Sequence, residues 1–248
     1  MKRNKFETNS NFNMQNLIYG RNPLFSYLSE KHILKVYLQK GFSDNKVLSA
    51  LKESNIIPVY VDVSVLNKMT NNASHQGVVA EIKPFNYSSV DEIIHKCKGK
   101  KNPLILILDE VSDPHNFGAI IRSCDAFDVD GIIIKSRNQV PVNMTVNKVS
   151  TGALDFVKIA KVNNLVNTIK TLKENGFWVY AADGSGKDDY SKLVYDGPIA
   201  LVLGSEGFGI SRLVLENSDF IIKIPMFGHV NSLNVSVATG ILLSRIRN

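Results

Sequence analysis

Leu104-Ile-Leu-Ile-Leu-Asp-Glu-Val-Ser-Asp113-Pro-His-Asn116-Phe-Gly118 is the stretch whose reading decides the fold. Five apolar residues in a row, with no polar alternation, make a strand buried on both faces. The polar segment after it ends the strand, and residues 117–127 then carry helical periodicity. The same alternation continues downstream. Strands are expected at 131–135, 156–160, 177–182, 199–203 and 220–225, and helices at 143–154, 165–174, 211–216 and 235–247. Continuous apolar strands separated by helices imply a parallel sheet covered on both sides, hence an α/β fold.

Upstream, the spacing predicts a smaller α/β module. Its helices are at 22–29, 44–52 and 65–70, and its strands at 33–39, 56–61 and 77–83. Residues 1–15, rich in Asn, read as a disordered tail, 16–86 as the first domain and 103–248 as the second. Residues 87–102 read as a linker despite a short helix at 90–97, because Lys98-Gly-Lys-Lys-Asn102 is polar. Charge is uneven: residues 1–100 hold 14 Lys and Arg against 8 Asp and Glu, and residues 101–248 hold 15 of each. A basic module beside a neutral one suits a protein that holds a polyanion with one part and acts with the other; a solvated lysine-rich surface is the plainer alternative.

Several classes are set aside. No apolar run reaches membrane-spanning length. Cys97 and Cys124 lack C-x-x-C spacing, and His32, His75, His95, His115 and His229 are scattered, so neither a disulfide framework nor a metal site is expected and a cytoplasmic location is. Gly204-x-x-Gly207-x-Gly209 is not the dinucleotide spacing, and Gly184-Ser-Gly-Lys187 lacks the earlier glycine of a P-loop.

Ligands of parallel sheets bind beyond the carboxyl ends of the strands. Three such ends lead into loops dense in glycine and polar residues: 109–118, 204–209 and 225–234. These are also the segments that resemble a known family. Asp109-x-Val-x-Asp-Pro-x-Asn116-x-Gly118-x-x-x-Arg122, Leu203-Gly-Ser-Glu206-Gly-x-Gly209 and Ile224-Pro-Met-x-Gly-x-Val-x-Ser232-Leu-Asn234-Val-Ser-Val-Ala are similar to the three SpoU motifs, in order. Ile18-Tyr-Gly20 and His75-Gln-Gly-Val78 resemble the ribosomal-protein-like RNA-binding domain that precedes the catalytic domain in the RlmB/TrmH branch.

The resemblance implies a SPOUT domain with a deep trefoil knot, S-adenosylmethionine as cofactor, no metal, and a homodimer with active sites at the subunit interface. It places Leu203, Gly204, Ile224 and Leu233 at the cofactor, held largely through main-chain groups. Arg122 is the position the family assigns to activating the ribose hydroxyl. Because a guanidinium stays protonated in proteins, the expected role is to bind phosphate or hydroxyl and to stabilise developing alkoxide. The alternative is a surface arginine pairing with Asp113 or Asp125. Asn116 shapes the loop or orients Arg122 or the ribose, or simply caps a helix. Glu206 holds Arg122 or the target base, or is solvated. Ser232 and Asn234 are site residues or a cap alone. His115, free in the family pattern, is set aside, and Lys35, Lys40, Lys46 and Lys52 are candidate phosphate contacts. The implied activity is 2′-O-methylation of a guanosine in 23S rRNA. A tRNA ribose methyltransferase and a non-catalytic RNA-binding assembly factor are the alternatives.

Overall fold

A computed structural model describes residues 16–29 and 33–248. The tail expected at 1–15, and His32, lie outside the described residues. The chain forms two compact units, Met1–Phe85 and Asn86–Asn248.

In the first unit the order is β1 (Leu17–Tyr19), α1 (Arg21–Ser29), β2 (Ile33–Gln39), α2 (Asn45–Glu53), β3 (Val59–Val61), α3 (Val63–Met69) and β4 (Val78–Ile82). The sheet runs β1-β4-β2-β3, with only β2 and β3 parallel. Asp44 starts α2: its Oδ1 accepts from the backbone N–H groups of Lys46 and Val47. Tyr37, Leu66, Met69 and Val79 form one buried cluster of this sheet.

The second unit contains α4 (Val90–Cys97), β5 (Leu104–Asp109), α5 (Pro114–Ala126), β6 (Gly131–Lys135), α6 (Met144–Ser150), β7 (Ile159–Val162), α7 (Leu165–Glu174), β8 (Trp178–Ala182), β9 (Asp188–Asp189), β10 (Ile199–Gly204), α8 (Arg212–Asn217), β11 (Phe220–Lys223) and α9 (Val235–Arg247). Its seven strands are all parallel, in the order β7-β6-β5-β10-β8-β11-β9. All six residues of β5 are buried, as a strand covered on both faces requires. Among the described residues no helix is long and apolar enough to cross a membrane.

Four expectations need correction. The stretch read as a linker belongs to the second unit: Ile93, Ile94 and Cys97 of α4 enter its core, and an alanine methyl on Gly131 would lie 2.6 Å from Ile93. Its polar end is anchored too. Lys100 Nζ donates to Oδ1 of Asp130, which is fully buried, and Asp130 Oδ2 accepts from Leu104 N at 2.9 Å. Helix α5 starts at Pro114, not at 117, because Asp113 caps it and proline fits its first turn. The helix expected over 143–154 breaks where Thr151 and Gly152 take positive φ, 51° and 90°, before a short 3-10 turn at Ala153–Asp155. The next strand shifts accordingly to β7, leaving Phe156 at 73% exposure. Strand β9 was not anticipated. It is two residues long and pairs with β11, and Gly186 just before it runs so close to β11 that a Cβ would meet Ile221 O at 2.7 Å.

Candidate active site

The sheet order sets β10 beside β5, with Gly204 in register with Asp109, so the loops after these strands leave the same edge. Strand β11 lies one strand further, beyond β8. The loop after β10 folds on itself: Ser205 N donates to Gly209 O and Gly209 N to Ser205 O, both at 3.0 Å. That closure explains Gly204. A Cβ there would sit 2.1 Å from the carbonyl carbon of Gly209, so the missing side chain makes room for the loop's own backbone. The folded loop turns Glu206 and Phe208 outward, Phe208 at 95% exposure.

Three motif residues, one from each loop, meet there. Asn116 Nδ2 donates to Glu206 Oε1 at 2.7 Å. Asn234 Nδ2 donates to the same oxygen at 2.6 Å and to Asn116 Oδ1 at 3.0 Å. Asn116 is buried and is not the helix cap, a role Asp113 fills by accepting from His115 N at 2.7 Å. Asn234 does both jobs: its Oδ1 accepts from Ser236 N at 2.9 Å, capping α9, while its Nδ2 joins the node. A carboxylate accepting two amide N–H groups makes charge-assisted bonds, and Oε2 of Glu206 is left for a further donor.

Beside this node lies a cleft of about 420 Å³ between the loops after β5 and β10, reaching Asn138 and Val235. Glu110 lines it with a backbone φ of +69°, a region that costs a non-glycine residue energy. Lys135 at the end of β6 fastens it: Lys135 Nζ donates to Glu110 Oε1 and lies 3.4 Å from Oδ1 of the buried Asp109. Asp109 Oδ2 accepts from Ser211 N at 2.8 Å, tying β5 to the start of α8. Burial works against the Lys135 ammonium, but the bond to Glu110 and the two carboxylate charges prevail and hold its pKa above the ordinary value. Neither Glu110 nor Lys135 was singled out in the sequence; only the register of β5 with β6 brings them together.

The structure does not bring the remaining expected residues to the node. Arg122 is exposed on α5 and has no hydrogen bond or ion pair among the described residues, so it pairs with none of Asp113, Asp125 and Glu206. Ser232 is exposed, Ile224 and Leu233 are half-buried, and Leu203 is buried in the sheet. Among the described residues no main-chain hydrogen bond engages the N–H groups of residues 226–233. His115 is exposed. In the first unit Lys40 pairs with Asp62 at 3.0 Å, and Lys35 lies 5.1 Å from the centre of the Tyr37 ring. Among the described residues no group of His, Cys, Asp and Glu is arranged to hold a metal ion.

The chain is similar to known proteins in sequence and in fold. Residues 103–244 match the SpoU rRNA Methylase family, and residues 17–88 match the RNA 2′-O ribose methyltransferase substrate binding domain. A Staphylococcus haemolyticus protein carrying the name TrmH family tRNA/rRNA methyltransferase is 43% identical over 235 residues, covering 93% of this chain and 94% of its own length. The AdoMet-bound rRNA methyltransferase of Sinorhizobium meliloti superposes with a TM-score of 0.63 at 25% identity, over 93% of this chain and 86% of that one. The A. aeolicus TrmH/SpoU tRNA modifying enzyme superposes with a TM-score of 0.55 at 33% identity, over 64% of this chain and 80% of that one. With its three loops joined at Asn116, Glu206 and Asn234 and its sequence matched across both units, the chain belongs to the SpoU rRNA methylase family.

Proposed function

We propose that the chain transfers the methyl group of S-adenosylmethionine to the ribose 2′-hydroxyl of a guanosine in 23S rRNA. The observation that carries the reading is the node at which one residue from each of three strand-end loops meets, beside a cleft large enough for a nucleotide. Ribosomal RNA is favoured over tRNA by extent. Likeness to the S. meliloti rRNA enzyme runs through both units, whereas the A. aeolicus tRNA enzyme corresponds to 64% of this chain.

S-adenosylmethionine fits the residues present. Gly204 at the end of β10, Ile224 just after β11 and Leu233 shortly before α9 are partly accessible, and among the described residues no main-chain hydrogen bond engages the N–H groups of 226–233. Leu203, Ile224 and Leu233 would supply apolar walls. Bound there, the cofactor supplies an electrophilic methyl group on a sulfonium.

The protein's own task is then positioning. Glu206, fixed by two asparagine amides, offers Oε2 to a donor on the target nucleotide. Asn116 and Asn234 keep the three loops in register, and Ser232 offers its hydroxyl from the third loop. Arg122 holds the target phosphate or hydroxyl and stabilises developing alkoxide as a fixed positive charge. It lies six residues beyond Asn116, about 240° around the helix, which turns it away from its own node. We therefore assign it to the cleft of a second copy in a homodimer. The deep trefoil knot belongs to the same reading.

Incubation with labelled S-adenosylmethionine and unmodified 23S rRNA or tRNA transcripts tests the proposal. Label recovered from rRNA as alkali-resistant 2′-O-methylguanosine, and lost with Arg122→Ala, is the expected result. Label in tRNA alone would overturn the substrate, and cofactor binding without transfer to either RNA would favour a non-catalytic assembly factor.

A further inference from the structure

Two motifs of the first unit lie outside the three SpoU motifs: Ile18-Tyr-Gly20 and His75-Gln-Gly77-Val78. Although Arg21 and Gln76 are 55 residues apart, Arg21 N donates to Gln76 Oε1 at 3.2 Å. Gly20 N donates to Val78 O at 3.1 Å, and Gly77 N donates to Nδ1 of the buried His75 at 3.0 Å. His75 is itself held through Nε2 by Asn67 Oδ1 at 2.8 Å. With the turn after β2, these segments enclose a cleft of about 350 Å³ lined by Arg21, Gln39, Phe42, Asp44, Gln76 and Gly77.

The cleft is built. Gly77 has a φ of +77°, where a side chain is strained, and an added Cβ would crowd the Phe42 ring at 3.0 Å. Gln76 takes a φ of +51°, an uncommon state for a residue with a side chain, and its carbonyl oxygen is used by Arg21. Arg21 lies 5.7 Å from the centre of the Phe42 ring and is fixed by Asp44 Oδ2 at 2.7 Å. The other oxygen of Asp44 caps α2, so the Arg21–Phe42 wall is anchored to a helix.

Charge decides the ligand. Asp44 already neutralises Arg21, and the lining has no second cation, which disfavours a bare phosphate. The Gln39 carboxamide and Nε2 of Gln76 make no hydrogen bond among the described residues, and the Ser43 hydroxyl and the Nε and Nη2 of Arg21 are further donors in the same cleft. Carboxamides present donors and acceptors together, the chemistry that reads the edge of a nucleobase, and an aromatic ring with a stacked guanidinium suits its face. We infer that this cleft receives one unpaired nucleobase of the RNA substrate, read through Gln39 and Gln76 against the Arg21–Phe42 wall. The inference rests on the RNA-methylation reading and adds to it a site remote in sequence from the SpoU motifs.

The test uses the full chain and whichever unmodified transcript, 23S rRNA or tRNA, accepts methyl from the wild type. Gln39→Leu removes the polar edge. Gln76→Glu keeps the acceptor for Arg21 N, removes the free donor and adds a negative charge, so the charge-neutral Gln39→Leu is the variant that isolates the base edge. Each variant is expected to raise KM for the RNA about tenfold, the scale of one or two lost hydrogen bonds, with kcat and S-adenosylmethionine affinity unchanged. Base-edge footprinting should show one nucleotide protected by the wild type and reactive with Gln39→Leu. Unchanged KM in both variants would overturn the inference, as would protection confined to phosphates, and a lowered Tm without a KM change would assign the glutamines to structure alone. A wild type that methylates no RNA would instead defeat the methylation reading itself.

Discussion

Lys135 serves two carboxylates at once, bonding Glu110 and facing Asp109, whose side chain is 2% exposed. Removing the ammonium would strand a buried carboxylate with one backbone N–H from Ser211. Lys135→Met should therefore destabilise the second unit by about 2 kcal/mol, below the ~3–5 kcal/mol of a fully buried pair because Lys135 is partly exposed. A urea midpoint equal to that of the wild type would refute this account of the pair. The two thiols give a second expectation at this scale. Burial pushes the Cys97 thiol up to about 12 and raises that of Cys124 further, so neither forms thiolate near neutrality. Native protein should resist iodoacetamide and become reactive at both cysteines only in denaturant; rapid labelling of folded protein would contradict their burial. Individual motif residues were legible because each sits a short fixed distance from the next in the chain. Glu110 was not, because neither its left-handed backbone nor its pairing with Lys135 leaves a local mark.

Helices α5 and α6 pack so closely at Gly118 that an added Cβ would lie 2.6 Å from Cβ of Val149 and 3.0 Å from Val146 O. This glycine of the first motif thus serves helix packing. Gly118→Ala should cost roughly 1–3 kcal/mol through overpacking and lower the Tm, despite alanine's better helix propensity. A variant as stable as the wild type would mean that α6 gives way easily. The contact also explains what could and could not be read at the level of elements. Helices α4, α7 and α9 matched the periodicity end to end, since each carries an apolar stripe of its own. The role of α4 was missed because its polar flank, 98–102, looks like a linker until Lys100 meets Asp130 and the Arg247 Nη1 reaches Asn102 O at 2.8 Å. The break at Thr151–Gly152 lies inside an otherwise helical pattern, and only one of its two left-handed residues is a glycine.

Across the whole molecule, the two-unit α/β plan was visible in the alternation of apolar strands and helices, and the three loops that meet at Asn116, Glu206 and Asn234 were visible as polar segments at strand ends. Strand order was not: that β10 inserts between β5 and β8 follows from tertiary packing. The C-terminal helix α9 is tied back to the segment between β9 and β10. Arg245 lies 5.5 Å from the centre of the Tyr195 ring and bonds the carbonyls of Ser191 and Leu193. Burial pushes the Tyr195 phenol up to about 12, with the Arg245 charge pulling partly back. The folded state thus prefers neutral phenol more than the unfolded chain does. That stabilisation is intact below pH ~10, the ordinary phenol value, and is lost as pH rises toward the folded value. Tyr195→Phe should flatten the fall of Tm with pH across this alkaline range; an unchanged slope would place the titration elsewhere.

The central claim is that the loops after β5, β10 and β11 form one site through Asn116, Glu206 and Asn234, and kcat/KM for methyl transfer in Asn116→Ala, Asn234→Ala and the double variant tests it most directly. If the node acts as a unit, each single change should cost about a hundredfold and the double change little more. Single variants within about threefold of the wild type, or losses that simply multiply, would contradict it.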